Sequence, residues 1–299
     1  MTGVCEGELC VRTKPAGGAV ADCVKELPPG FAGAFGRLVV FVHGYNDSYF
    51  GGGRNYKAFL ELLDAEWGPP AGRLIPSLGR MFWPGDKNWG MLSLISFPLE
   101  LEPADESASR LAAFIETVGK RERPVRLDVI AHSLGCRVVL NALTILAKSH
   151  AGSQGTHMVG RVEVHTVCLM AGAVPVEYVG PGEKYWDGVG LPRRMSCLYS
   201  HADPVIGLAA PLGYTAAGER FFPPCIGYAG PPAGFPGDGE EIHGASHGDY
   251  WAGEIAANRV AGMLDFGAVT WRIQERSVTA NELPLPGETE ANELPVRDV

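Results

Sequence analysis

An α/β class, with a mostly parallel sheet covered by helices on both faces, is what this sequence predicts, and three observations predict it. Strand-length apolar runs alternate with helix-spaced stretches from about residue 37 to residue 266, as repeated βα units require. Residues 125–148, VRLDVIAHSLGCRVVLNALTILAK, pass from a buried strand (Val125, Leu127, Val129, Ile130) through a five-residue turn into an apolar helix (Val138, Val139, Leu140, Leu143, Ile145, Leu146). The length, 299 residues, suits one large α/β domain.

The elements follow in order. GRLVVFVHG is a strand running into a loop, and RNYKAFLELLDAEW is a helix with Phe59, Leu60, Leu63 and Trp67 on one side. RMFWPGD is a short strand stopped by Pro84. PADESASRLAAFIETVGKR is a helix with Pro103 and acids in its first turn and Lys120 and Arg121 at its end. RVEVHTVCLMAGAV and RRMSCLYSHADPV are two further strands, and DYWAGEIAANRVAGMLDF is the last helix. The predicted organisation is 1–36 as N-terminal strands or extension, 37–266 as the catalytic domain and 267–299 as a tail. The tail repeats ANELP and is acidic, proline-bearing and nearly free of aromatics, so disorder is expected there. Two long connections, 84–102 and 174–192, are expected to shape a binding site.

Bulk composition excludes several classes. Hydrophobic residues make up 46% of the chain, enough for a substantial core, and the formal net charge is -9, which argues against nucleic acid or an anionic membrane as a partner. The longest apolar stretch, from Trp89, is too short to span a bilayer and contains Pro98. The N-terminus has neither the basic region nor the apolar run of a signal peptide, so a cytoplasmic location is expected. Cys136, Cys168 and Cys197 fall in apolar segments as small core residues. Cys5, Cys10 and Cys23 lie close together and could pair, with free thiols the default in a reducing compartment. No Cys/His cluster has zinc spacing, and the GGG at 51–53 lacks the G-K-[ST] ending of a phosphate-binding loop and reads as a flexible loop. No metal or cofactor is expected.

The turn A-H-S-L-G, residues 131–135, is a variant of the G-x-S-x-G nucleophile elbow with Ala131 in place of the first glycine. A strand-to-helix turn this tight strains the serine backbone and lifts its hydroxyl above the sheet, and the helix that follows aims its positive end at Ser133. A serine nucleophile needs a base, and the base an orienting acid. Asp203, just beyond the strand RMSCLYS, is the candidate acid; the preceding strand offers none until Glu177. His247, in a glycine-rich loop before the last helix, is the candidate base, with His243 the runner-up. His201 is too close to Asp203 to be its partner, and His132, His150 and His157 read as structural or solvated. Oxyanion donors are expected from the backbone N–H groups of Tyr45, after His43-Gly44, and of Leu134, after the nucleophile.

Strand-H-G, A-H-S-L-G, a late strand-Asp and a loop-His before the last helix together resemble the α/β-hydrolase superfamily over residues 37–266. V-H-G-Y-N, F-W-P and A-H-S-L-G are similar to a bacterial esterase/lipase-like branch of it. The resemblance implies an eight-stranded, mostly parallel sheet and carboxylic ester hydrolysis without a metal. It carries Ser133, Asp203 and His247 as triad, and Tyr45 and Leu134 as oxyanion donors. The first 36 residues are short for the opening strands and leave room for one fewer. Tyr45, Tyr49, Phe50, Trp83, Trp89, Tyr185 and Trp186 suggest a small-molecule ester with an apolar acyl or aryl group, and read equally as loop anchors. A thioesterase, acyltransferase or peptidase on the same fold, or a non-catalytic binding protein on a hydrolase scaffold, fits the same residues.

Overall fold

The computed structural model describes residues 5–15, 17–33, 36–45, 47–67, 77–86, 97–150 and 157–264. Met1–Gly267 form one compact unit. Trp89 and the ANELP repeats lie outside the described residues. The strands are β1 (Cys5–Arg12), β2 (Val20–Leu27), β3 (Arg37–Val42), β4 (Ser77–Phe82), β5 (Val125–His132), β6 (Met158–Val159), β7 (Val162–Met170), β8 (Arg194–Tyr199) and β9 (Asp238–Glu241). The helices are α1 (Tyr49–Trp67), α2 (Leu101–Gly119), α3 (Gly135–Ser149), α4 (Trp186–Val189), α5 (Ala210–Ala216), α6 (Ile226–Ala229), α7 (Asp249–Ala252) and α8 (Glu254–Leu264).

One sheet runs in the order β2-β1-β4-β3-β5-β7-β8-β9, with β6 paired to β7 off that path. Its pairings are parallel except β1–β2 and β6–β7. The sheet is therefore mostly parallel, as the sequence predicts. The short N-terminus does not cost it a strand: β1 and β2 form an antiparallel hairpin, which needs few connecting residues. All six residues of β3 are buried, as are all but one in β5, because helices cover both faces. Parallel strands end at one edge, so the loops after β3, β5, β8 and β9 converge there.

Three local expectations are corrected. Gly51–Gly53 are not a loop but lie in the first turns of α1. A Cβ on Gly52 would stand 3.1 Å from His43 Cδ2, so glycine there lets the helix approach the end of β3. The last helix is two helices, α7 and α8, separated by Gly253 in an extended conformation. The 174–192 connection is packed rather than open. Tyr178 and Tyr185 are buried, and a Cβ on Gly188 would stand 2.7 Å from the Leu140 carbonyl oxygen of α3. Cys10 and Cys23 are free, as are buried Cys136, Cys168 and Cys197; the side chain of Cys5 lies outside the described residues. Among the described residues, no helix is long and apolar enough to cross a membrane.

An ion cluster built on a buried guanidinium and two part-exposed carboxylates ties the helices above the sheet together. Arg137 of α3, 1% exposed, donates from Nε to Asp105 Oδ1 at 2.9 Å and from Nη2 to Asp105 Oδ2 at 2.6 Å. It also donates to both carboxylate oxygens of Glu219 at 3.0 and 2.8 Å. Asn141 and Tyr178 add donors to the same two carboxylates. A fully paired buried guanidinium contributes little net stability, but removing it strands two carboxylates. The carboxylates are part-exposed and keep Asn141 and Tyr178 as donors, so Arg137→Met should cost about 1–2 kcal/mol, read in a thermal melt as a Tm lower by roughly 2–6 °C. An unchanged Tm would show that water replaces the guanidinium at no cost.

Candidate active site

Ser133 follows β5 with φ at 54°, in the left-handed region, where a side chain with a Cβ is strained. The turn is held from both sides. Ser133 N–H donates to the Met170 carbonyl at 2.9 Å, and its own carbonyl accepts from Cys136 and Ala173 N–H, each at 3.1 Å. Two close approaches explain the small residues around it. A Cβ on Gly135 would run into the His43 and Val42 carbonyls, and one on Gly44 would stand 2.7 Å from Ser133 Cβ. The loop after β3 thus lies hard against the elbow. Ala131 fits because it sits in the ladder, opposite Val42 and Leu169.

The H-G loop has its own clamp, which the sequence did not reveal. His43 is fully buried and stacks on Trp83 with ring centroids 5.6 Å apart. Trp83 donates its backbone N–H to His43 Nε2 at 3.3 Å, leaving Nδ1 to donate to the Gly44 carbonyl at 2.9 Å. The Trp83 indole N–H donates to the His43 carbonyl at 2.8 Å. Tyr56 of α1 accepts from His43 N–H and donates to the Met81 carbonyl, both at 2.6 Å. Trp83 is therefore not a mouth aromatic: it is buried beneath the loop, and it links F-W-P to V-H-G physically.

Burial, aided by the charge of Arg12 and opposed by the Gly44 bond, lowers the His43 pKa from 6.5 to about 4. The native state holds the neutral ring. That contribution to stability is complete above the unfolded-state value of 6.5 and is lost as pH falls from there through about 4, on the order of 3 kcal/mol in all. Tm should fall more between pH 7.5 and 4.5 in the native protein than in His43→Asn, which has nothing to titrate there. Equal falls would show that His43 is not held neutral.

Asp203 and His247 lie against each other. Asp203 is fully buried after β8. Its Oδ1 accepts the backbone N–H groups of Val205 and Ile206 at 2.9 and 3.1 Å, capping a π-helical turn over Val205–Ala209. Its Oδ2 lies 2.8 Å from His247 Nδ1. A carboxylate beside Nδ1 fixes the Nδ1–H tautomer and leaves Nε2 bare as an acceptor. His243 does not share this arrangement: its side chain is 85% exposed and lies 3.3 Å from Glu241. His201 pairs with the same Glu241 at 3.0 Å. His157 bonds the Leu191 carbonyl, and His150 caps the end of α3. His132, the variable residue of the elbow, is buried with its ring 4.7 Å from that of His247. The loop that carries His247 therefore lies beside the elbow.

Leu134 is buried at the N-cap of α3, where the first helical N–H groups have no intrahelical acceptor. Tyr45 is half-buried, its ring edge-on to Phe97 at 5.7 Å. Asp47, on the same loop, escaped sequence reasoning. Desolvation pushes its pKa up to about 6, against the Asn55 hydrogen bond and the nearby charge of His247. Of the remaining predicted mouth aromatics, Phe50 is exposed, Tyr49 and Trp186 are half-buried and Tyr185 is buried. Among the described residues, no group of three His, Cys, Asp or Glu is placed to hold a metal.

Residues 33–208 match the family model described as "Alpha/beta hydrolase of unknown function (DUF900)". The chain belongs to this family. A search of the curated proteins finds no match. Solved structures similar to this α/β hydrolase include a predicted CIB-like hydrolase from Thermoplasma acidophilum (14% identity, 77% of this chain and 87% of that one, TM-score 0.38). A hyperthermophilic esterase from the archaeon Pyrobaculum calidifontis is 15% identical over 76% of this chain and 74% of that one, with a TM-score of 0.38. An esterase domain from a Rhodothermus marinus protein is 16% identical over 86% and 88%, with a TM-score of 0.36.

Proposed function

We propose that this α/β hydrolase cleaves carboxylic esters through Ser133, His247 and Asp203. The observation that supports this most is the pairing of a buried carboxylate with an imidazole whose ring lies against His132, the residue before a serine in a strained strand-to-helix turn. His247 Nε2 takes the Ser133 proton as Oγ attacks the acyl carbon. The N–H groups of Tyr45 and Leu134 receive the oxyanion. The imidazolium, stabilised by Asp203, returns the proton to the departing alcohol and leaves an acyl-serine. Water, deprotonated by the same nitrogen, releases the acid and restores the serine. The substrate is a small-molecule ester, and half-buried Tyr45 with exposed Phe50 favours an apolar acyl or aryl group on it.

The test is labelling with a fluorophosphonate probe, followed by a panel of p-nitrophenyl esters of increasing chain length. Label mapped to Ser133 together with ester turnover is the expected result. Folded protein that takes no label would favour a binding protein on a hydrolase scaffold. Label without turnover on any ester would move the proposal to acyl transfer or to a thioester or peptide substrate.

A further inference from the structure

The residue just before the nucleophile carries a hydrogen bond that the triad chemistry does not require. His132 Nε2 lies 3.0 Å from the backbone carbonyl of His247, 115 residues away in sequence. A carbonyl oxygen only accepts, so Nε2 bears the proton and the ring is the neutral Nε2–H tautomer. Nδ1 is then a bare acceptor; it is buried and has no hydrogen-bond partner. It faces the oxyanion loop, 3.1 Å from where a Cβ on Gly44 would stand. The ring is boxed by His247, Tyr250 and Trp251 at centroid distances of 4.7, 5.9 and 5.5 Å. A buried acceptor without a donor is unfavourable, and an apolar side chain at 132 would avoid it. What a histidine supplies here is the donor on the opposite nitrogen.

The loop that receives this donor is held to itself by a short turn around His247 and to the body of the protein through the His247 side chain on Asp203. Ala245 N–H donates to the Ile242 carbonyl at 3.1 Å, and Ser246 N–H to Asp249 Oδ2 at 2.7 Å. The turn closes from Asp249 N–H onto the Ser246 carbonyl at 3.1 Å, and Gly244, at positive φ, precedes it, so the turn that carries His247 has a pliant hinge on its N-terminal side. We propose that His132 is a positioning residue: its Nε2–H latches the main chain of His247 to the nucleophile elbow and so sets the base over Ser133. Asp203 fixes which way the imidazole faces, and His132 fixes where its backbone stands. Burial and the neighbouring His247 lower the His132 pKa well below its usual value, which keeps the latch neutral beside the base. Of the ionisable groups around it, His43 is likewise buried and held neutral.

This inference rests on the serine-hydrolase reading, and the test separates the two. Glutamine can place its Nε2 donor where histidine has one; asparagine places its amide where the unpartnered Nδ1 sits; leucine has no donor. With the latch lost, His132→Leu and His132→Asn should lower kcat roughly 10- to 100-fold, the scale of a misplaced catalytic group, with KM within twofold. His132→Gln should recover most of it. Amide hydrogen exchange over residues 244–250 of the intact protein should rise in the leucine and asparagine variants and stay near native in glutamine. A residue acting only through packing would shift Tm without separating glutamine from asparagine. If His132→Leu does not fold, the glutamine and asparagine pair decides. Equal kcat and equal loop exchange in that pair would overturn the latch. If native protein neither labels nor turns over esters, the function falls, and the exchange difference alone then upholds or overturns the latch.

Discussion

Ser133→Ala should reduce ester turnover by about 10³-fold or more while leaving the fold intact. The substitution removes one oxygen. The three backbone hydrogen bonds that hold the elbow come from N–H and C=O groups that alanine keeps, and alanine meets the same left-handed strain at this position as serine does. Triad members act as a unit, so the residue left after deletion is the modest rate supplied by oxyanion donors and substrate binding. The measurement is kcat/KM on the best p-nitrophenyl ester, with circular dichroism and Tm as controls. Near-native turnover in a folded variant, free of contaminating esterase, would falsify the nucleophile.

The second large effect separates two histidines four residues apart. His247→Ala should lose nearly as much rate as Ser133→Ala, whereas His243→Ala should lose little. His247 stands against a fully buried carboxylate, with its donor at 2.8 Å; removing the ring leaves Asp203 Oδ2 without its partner and the serine without a base. His243 is exposed and meets a surface glutamate that His201 also contacts, and exposed pairs contribute little. A dead His243→Ala alongside an active His247→Ala would reverse the choice of base. Two active variants would remove histidine from the mechanism.

Much of this was legible in the chain because the signals are local. The elbow combines a strand, a forced small-residue turn and an apolar helix within 24 residues, and the central strands read as apolar runs because both faces are covered. The pairing of Asp203 with His247 was approached in the sequence only through chain order and place, one residue after a strand and the other before a helix. What was not legible is what depends on distant partners. β9, with the sequence DGEE, has no strand signature and exists by pairing with β8. Gly51–Gly53 are poor helix formers that α1 nonetheless includes, and Gly52 suits its place because a Cβ there would crowd His43, a reason that lies outside the segment. Trp83 looks like a lining aromatic until its indole is found on the His43 carbonyl, and Asp47 gains its shifted ionisation from a setting that only the fold creates.

The separate origin of the site's parts bears on how the enzyme would fail. Serine and oxyanion loop belong to neighbouring central strands, β3 and β5, in a contact too close for one extra carbon. Asp203 and His247, the proposed acid and base, arrive later, from beyond β8 and β9 at the sheet's far margin, where β9 is a four-residue strand with half-buried Glu240 and Glu241 and exposed Asp238. Such a margin opens at lower free energy than a sheet centre. Under mild heat or denaturant Ser133 would therefore keep its geometry after His247, its proposed proton acceptor, has left. Inactivation would begin as a reversible parting of two halves of one sheet, well short of unfolding, and returning to native conditions would restore the site without the core having been rebuilt.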